Sequence, residues 1–309
     1  MSKRFLVSGG GGFVGSHLVD DLVEDNCEVV VIDNFVTGSL SNLEKYRKNV
    51  TVLEEDICIT DLAGLGELDG IFHLAAQTSV PLSIAEFRAS STANLSTSLA
   101  ILDFCSRKKI PLVYASSSAI YGNLDFGSDK SEEIELLSPY AADKYFLEQY
   151  ANVANGLFEL SSVGLRFFNV YGPRQDPSNP YSGVISIFVD RLSRGKPVEI
   201  FGGGQTRDFV YVKDVARALT KAMRIAAANC VCYRINVLSG VATSISHLYS
   251  SLAAVIPPTS EAVVSPMQPG DPMRSGGNTE GMEVLLGLRT ETMMTLENGL
   301  RATINYMSG

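Results

Sequence analysis

Tyr140 and Lys144 stand four residues apart in the run Ser138-Pro139-Tyr140-Ala141-Ala142-Asp143-Lys144. On a helix that spacing puts both side chains on one face. Pro139 in a first turn, with Ser138 before it as the cap, is a helix start. A lysine ammonium beside a phenol favours the phenolate and lowers a pKa that is ordinarily about 10. The phenol is then a general base near neutral pH. The spacing is common by chance, and alone it also describes a tyrosine packed on a surface helix beside a solvated lysine. Upstream, Val113-Tyr114-Ala115-Ser116-Ser117-Ser118-Ala119-Ile120-Tyr121-Gly122 is a strand running into a serine-rich turn. A hydroxyl there can hold the alcohol oxygen that Tyr140 deprotonates. Such a turn can equally cap its own backbone.

These side chains need a scaffold, and the first one in the chain is Ser8-Gly9-Gly10-Gly11-Gly12-Phe13-Val14-Gly15-Ser16. It follows the apolar run Phe5-Leu6-Val7 and precedes an amphipathic run, the order of strand, tight turn and helix. Gly9, Gly12 and Gly15 form a G-x-x-G-x-x-G pattern. It permits a sharp turn, close approach of backbone N–H groups to a pyrophosphate, and close helix–strand packing. The unpaired N–H groups at the helix start favour phosphate. A second strand ends in Asp33, near the spacing at which an acid binds an adenosine ribose. No Arg or Lys follows Asp33 before Lys45, so NAD is expected rather than NADP. A bound nicotinamide cation would lower the Tyr140 pKa further.

The chain has 309 residues, of which 45% are hydrophobic, and a formal net charge of −9. It is long enough for a large core in one or two domains. The acidic balance and the lack of a basic stripe speak against nucleic acid as a partner. Five scattered cysteines, none in a C-x-x-C pair, point to reduced thiols and a cytoplasmic location. No metal is expected, because Cys and His show no ligand spacing. No run approaches the length of a membrane span and none resembles a signal peptide.

Strands are expected near 4–7, 29–32, 50–53, 70–74, 112–115 and 162–166, with helices over 12–24, 89–107 and 139–154. Buried valine-rich strands alternating with helices give a doubly wound parallel sheet, with the ligand at the carboxyl ends of the strands. After about residue 167 the texture changes to Gly and Pro punctuation. A helix is expected over 183–194, a strand–helix unit over 209–224 and a strand over 232–237. A loop-rich stretch spans 256–278, and helices over 280–286 and 295–307 close the chain. The division expected is 1–166 plus about 208–237 as the dinucleotide-binding domain. Segments 167–207 and 238–309 then form a smaller α/β substrate-binding domain.

With these motifs in order, the chain resembles the extended short-chain dehydrogenase/reductases of the NAD-dependent epimerase/dehydratase family, and among them the UDP-sugar 4-epimerases. The matching stretches are Gly9–Ser16, Asp33-Asn34-Phe35, Asp56-Ile57, His73-Leu74-Ala75-Ala76-Gln77, Ser116–Gly122, Tyr140–Lys144, Leu165–Arg174 and Arg207-Asp208-Phe209-Val210. The resemblance implies a Rossmann-type fold and a catalytic set of Ser117, Tyr140 and Lys144. It implies cofactor contacts from Gly9, Gly12, Phe13, Val14, Asp33, Asn34, Phe35, Thr37, Gly38, Asp56, Ile57, Leu74, Ala75, Ala76, Gln77, Asn94, Ser116, Tyr140, Lys144 and Phe167. It implies substrate contacts from Thr78, Ser79, Ser117, Ser118, Tyr140, Asn169, Gln175, Gly183, Val184, Arg207, Arg274 and Ser275. It also implies a homodimer formed through the two long helical patterns as a four-helix interface.

Dehydratases of the family carry Asp-Glu, and decarboxylases a Glu, where this chain has Ser118 and Ala119. The absence of an acid there favours 4-epimerisation, of UDP-glucose or its N-acetyl counterpart. Other nucleotide- or lipid-linked sugars, a reductase or decarboxylase reaction, or a non-catalytic NAD sensor are the alternatives. The segment Gly270-Asp271-Pro272-Met273-Arg274-Ser275 resembles the one that gates sugar size, and a serine at 275 leaves room for an N-acetyl group. Gln268 replaces a frequent diphosphate-binding arginine and Asn278 a frequent Asp; Arg274 is available to supply the charge.

Overall fold

The computed structural model describes residues 2–178, 182–267 and 272–308. In chain order its first elements are β1 (Arg4–Ser8), α1 (Phe13–Glu24), β2 (Glu28–Asp33), β3 (Val50–Glu54), β4 (Gly70–His73), α2 (Val80–Ala85), α3 (Phe87–Lys108), β5 (Leu112–Ser117), α4 (Pro139–Phe158), β6 (Ser162–Phe167) and β7 (Asn169–Tyr171). There follow α5 (Val184–Ser193), β8 (Glu199–Phe201), β9 (Thr206–Tyr211), α6 (Val212–Ala228), β10 (Cys232–Val237), β11 (Ala242–Ser244), α7 (Ile245–Val255), β12 (Val263–Ser265), α8 (Glu280–Leu286) and α9 (Leu296–Ser308).

The main sheet runs β10-β6-β5-β4-β1-β2-β3. The pairs β1–β2, β1–β4, β2–β3 and β4–β5 are parallel. Chain order reverses on either side of β1, which is the switch point at which such sheets bind ligands. Alternate residues explain the burial of both faces. Leu6, Val30, Ile32, Ile71, Leu112 and Tyr114 form one core cluster with Ile101, Leu102 and Cys105 of α3 and Leu147, Ala151 and Ala154 of α4. Phe5, Val7, Val29, Val31 and Phe72 are also buried. The register levels Ser8 with Ile32 and His73, and His73 with Tyr114. Gly9, Asp33, Leu74 and the serines of β5 therefore emerge together at the carboxyl edge.

Two compact units divide the chain. One holds Met1–Ser117, Ser138–Arg166 and Val215–Ile235; the other holds Ser118–Leu137, Phe167–Asp214 and Asn236–Gly309. Residues 118–137 and 208–214, expected in the first domain, thus cluster in the second unit. Both backbone and side-chain bonds tie these segments to the second unit. The Gly127 N–H donates to the Gly276 carbonyl at 2.9 Å, and the Gly127 carbonyl accepts the Asn278 N–H at 3.0 Å. Tyr121 Oη donates to Asn236 Oδ1 at 2.7 Å, and Asn278 Nδ2 donates to Asp129 Oδ1 at 2.7 Å. β9 lies between β11 and β7 in a three-stranded sheet. Its Phe209 and Tyr211 share a core with Tyr171, Phe188, Leu248 and Leu300. β7, β8, β11 and β12 have no counterpart among the expected elements; each is three residues long, too short to show alternation. α7 also has none, because the serines within it blur its apolar stripe. Among the described residues no helix is long and apolar enough to cross a membrane.

Candidate active site

α4 begins as the sequence predicts. Ser138 Oγ accepts the Ala141 N–H at 3.2 Å, and Pro139 occupies the first turn. This start delivers Tyr140 and Lys144 to the end of β5. The Tyr140 hydroxyl is hydrogen-bonded to the Ser117 side chain. Lys144 Nζ donates to the Ala115 carbonyl at 2.9 Å and lies 5.8 Å from the centroid of the Tyr140 ring. Ser83 Oγ, on α2, accepts the Tyr140 backbone N–H at 3.2 Å. Ser117, Tyr140 and Lys144 are all buried.

Burial decides their electrostatics. It pushes the Tyr140 phenol above its usual value; the Ser117 hydrogen bond pulls it down and the Asp143 carboxylate pushes it further up. Burial also brings Lys144 down to about 8, against the raising influence of Asp143. The expectation that Lys144 lowers the Tyr140 pKa is therefore corrected. Loss of water outweighs the neighbouring charges, and the ammonium is turned to the Ala115 carbonyl. Sequence reasoning passed over Asp143, which is buried and accepts Asn94 Nδ2 at 3.1 Å. Asn94 in turn grips Gln77, with Oδ1 accepting the Gln77 N–H at 2.8 Å and Nδ2 donating to the Gln77 carbonyl at 3.1 Å.

The glycine turn fits a dinucleotide. Gly9 has φ +73°, and a Cβ there would lie 2.7 Å from Ala75 N. A Cβ at Gly10 would lie 2.7 Å from the Val31 methyls, and one at Gly11 would strike the Phe35 ring. α1 has no side-chain cap at Gly12, so no side chain competes with an anion for its first N–H groups. The Asp33 carboxylate accepts the N–H groups of Gly11 and Phe35, each at 2.8 Å, and burial pushes its pKa up. Gly38 packs against the Gly11 backbone beside Asp33. Asn34 Nδ2 reaches Asp56 Oδ2 at 3.4 Å, which brings two of the expected cofactor contacts together. Ile57 is buried in the core beneath them. Phe13 and Val14 open α1, Thr37 lies between Phe35 and Gly38, and Ala75 and Ala76 lead from β4 to Gln77. The Ser116 hydroxyl is committed to Glu148. Phe167 is the last residue of β6. A cavity of about 840 Å³ also opens at the amino ends of the strands, lined by Lys3, Phe5, Asp69 and Pro111, away from Ser117, Tyr140 and Lys144.

His73, at the end of β4, is buried between Ser8 Oγ at 2.8 Å from Nδ1 and Ser98 Oγ at 3.3 Å from Nε2. Burial, with the Lys144 charge, lowers its pKa from 6.5 to about 3. A histidine held neutral contributes stability that is complete above its unfolded pKa of 6.5 and is lost as pH falls toward 3. His73→Gln, which keeps a side chain able to bond both serines, is expected to lose less stability than wild type between about pH 7 and about pH 5. Urea midpoints at the two pH values check this.

In the second unit, Asn169 Nδ2 donates to the Asp208 carbonyl at 3.2 Å and reaches Ser275 Oγ at 3.3 Å. The buried Arg207 donates from one guanidinium nitrogen to the Thr206 and Pro272 carbonyls, each at 2.8 Å. Asn169, Gln175, Gly183 and Val184 line a cavity of about 80 Å³. The Gln175 Oε1 atom is buried there with no hydrogen-bond partner among the described residues. Arg274 is exposed and reaches Asp125 Oδ1 at 3.2 Å. Ser118 starts a 3₁₀ turn. In the first unit, Thr78 is exposed, and Ser79 Oγ caps α2 by accepting the Leu82 N–H at 3.0 Å. Gln268, Gly270 and Asp271 lie outside the described residues.

The profile of the NAD dependent epimerase/dehydratase family matches residues 5–235. A putative UDP-glucose 4-epimerase of Methanocaldococcus jannaschii is 34% identical over 306 residues, 98% of this chain and 97% of that one. The UDP-N-acetylglucosamine 4-epimerase of Methanobrevibacter ruminantium M1, solved with UDP-N-acetylmuramic acid, superposes with a TM-score of 0.92 at 34% identity, over 99% of this chain and 98% of that one. The Thermus thermophilus UDP-glucose 4-epimerase, solved with NAD, has a TM-score of 0.85 at 32% identity, over 99% of each chain.

Proposed function

Because the chain belongs to the NAD-dependent epimerase/dehydratase family, we propose that it is a UDP-hexose 4-epimerase, acting on UDP-glucose, UDP-N-acetylglucosamine or both. The observation that carries this reading is the Ser117–Tyr140 hydrogen bond with Lys144 one turn along the same buried helix face. Bound NAD supplies a reversible hydride acceptor with a cationic ring. Tyr140 Oη takes the proton of the sugar 4-hydroxyl and later returns it. Ser117 Oγ holds the reacting oxygen during both transfers. Lys144, bonded to the Ala115 carbonyl, stands one turn along from Tyr140, and the turn at Gly9, Gly12 and Gly15 seats the pyrophosphate. Asn169, Gln175, Gly183, Val184 and Arg207 hold the nucleotide diphosphate, and Ser275 leaves space for an N-acetyl group. Ser118 and Ala119 carry no acid, which favours epimerisation over loss of water or carbon dioxide.

Incubating the protein with a panel of UDP-sugars, followed by product chromatography, tests the reading. The expected result is a mixture of each sugar with its 4-epimer. Failure to form a 4-epimer from any of them would set the assignment aside in favour of a reductase, a decarboxylase, a lipid-linked substrate or a sensor.

We also infer a homodimer formed through α3 and α4. Phe146, Tyr150, Val153 and Leu157 of α4 are exposed and recur every three or four residues on one face. Leu99 of α3 is exposed as well. Val153→Asp combined with Leu157→Asp is expected to convert the dimer to a monomer in sedimentation equilibrium. An unchanged mass would remove α4 from the interface.

A further inference from the structure

Three consecutive residues at the end of β5 are each tied to α4. The Ala115 carbonyl accepts from Lys144 Nζ at 2.9 Å, Ser116 Oγ donates to Glu148 Oε1 at 2.5 Å, and Ser117 is bonded to Tyr140. The α4 partners fall at Tyr140 and four and eight residues beyond it, on one face. Two of these ties belong to the reacting set and the third does not. Glu148 is 1% exposed, and Arg166 of β6, also 1% exposed, grips the same carboxylate. Arg166 Nε reaches Oε1 at 2.8 Å, and a terminal guanidinium nitrogen reaches Oε2 at 2.6 Å. This is a bidentate pair, the arrangement that fixes orientation best.

An ion pair this deep is poorly explained by stability, since an apolar pair of similar volume is often as stable or more so. What the carboxylate supplies is one acceptor shared by a strand-end serine and an arginine on the next strand. We propose that Glu148 and Arg166 are positioning residues, holding Ser116 so that Ser117 meets Tyr140 and Ala115 meets Lys144. The inference rests on the reading of Ser117, Tyr140 and Lys144 as the reacting groups.

The test uses the holoenzyme and three variants: Glu148→Leu/Arg166→Met, which removes both charges together, Ser116→Ala, and Ser116→Thr, which restores a hydroxyl. The double variant is expected to fold and to keep NAD affinity and KM within about 3-fold, while kcat falls at least about 10-fold. Ser116→Ala lowers kcat in the same way and Ser116→Thr recovers it. A second readout needs no substrate. Ultraviolet titration of the Tyr140 phenol, isolated by subtracting a Tyr140→Phe background, is expected to move upward in the double variant as the Ser117 bond loosens. Asp143, Lys144 and His73, the titratable groups around it, are unaltered. A folded double variant with wild-type kcat and wild-type phenol titration would overturn the inference. If the double variant does not fold, the Ser116 pair decides: loss of kcat with recovery in Ser116→Thr supports it, and equal rates overturn it. If the wild-type enzyme epimerises no UDP-sugar, the proposed reaction fails, and the phenol titration alone decides whether the pair positions Tyr140.

Discussion

Tyr140→Phe is expected to cut 4-epimerisation at least about 10²-fold, the scale of a general base, while NAD remains bound. The ring and its packing survive the change. So does the backbone bond from Tyr140 to Ser83, because it uses the N–H rather than the side chain. What disappears is the oxygen bonded to Ser117. Stability should shift by only about 1 kcal/mol, the net worth of one such bond. Burial holds the resting phenol above its ordinary pKa, so wild-type kcat should climb with pH as more phenolate forms, and Tyr140→Phe should lose that climb. Product chromatography across pH, with NAD content measured on the same samples, checks both. A Phe variant at full activity would remove Tyr140 from the chemistry.

The sequence makes the proposed reacting groups visible because their positions are local. The four-residue interval, Ser138 and Pro139 are all encoded within one helix start, and the structure builds that start without change. The glycine turn is legible for the same reason. The electrostatics are not, since the direction of the Tyr140 shift depends on how completely water is removed, and no interval in the chain records that. Glu148 was within reach, being four residues beyond Lys144 on one face, and Arg166 is a lone cation in the apolar strand Ser162–Phe167. Their pairing is a contact between a helix and a strand, which spacing along one element does not reveal. The transfer of 118–137 to the second unit has the same origin. It depends on Tyr121, Asp129, Asn236 and Asn278 finding one another across more than 100 residues of chain.

Two Gly→Ala substitutions are expected to have opposite effects, although the added atom is the same. At Gly15 the new Cβ would run into the Gly9 carbonyl oxygen and lie 2.9 Å from Gly10 Cα. Both are backbone atoms of the turn, so neither can rotate away. α1 must instead move off β1, at a cost of about 1–3 kcal/mol for overpacking. The same movement displaces the N–H groups proposed to seat the pyrophosphate, so NAD affinity should fall by at least about 10-fold as well. At Gly156, inside α4, a Cβ meets nothing within 4 Å. There Ala replaces a flexible residue in an exposed helix position, and stability should rise by about 0.5–1 kcal/mol with NAD affinity unchanged. Urea midpoints and NAD titrations of the two variants, measured side by side, separate close packing at the turn from ordinary helix propensity. A Gly15→Ala protein as stable and as avid for NAD as wild type would mean that the turn is not where the dinucleotide is held.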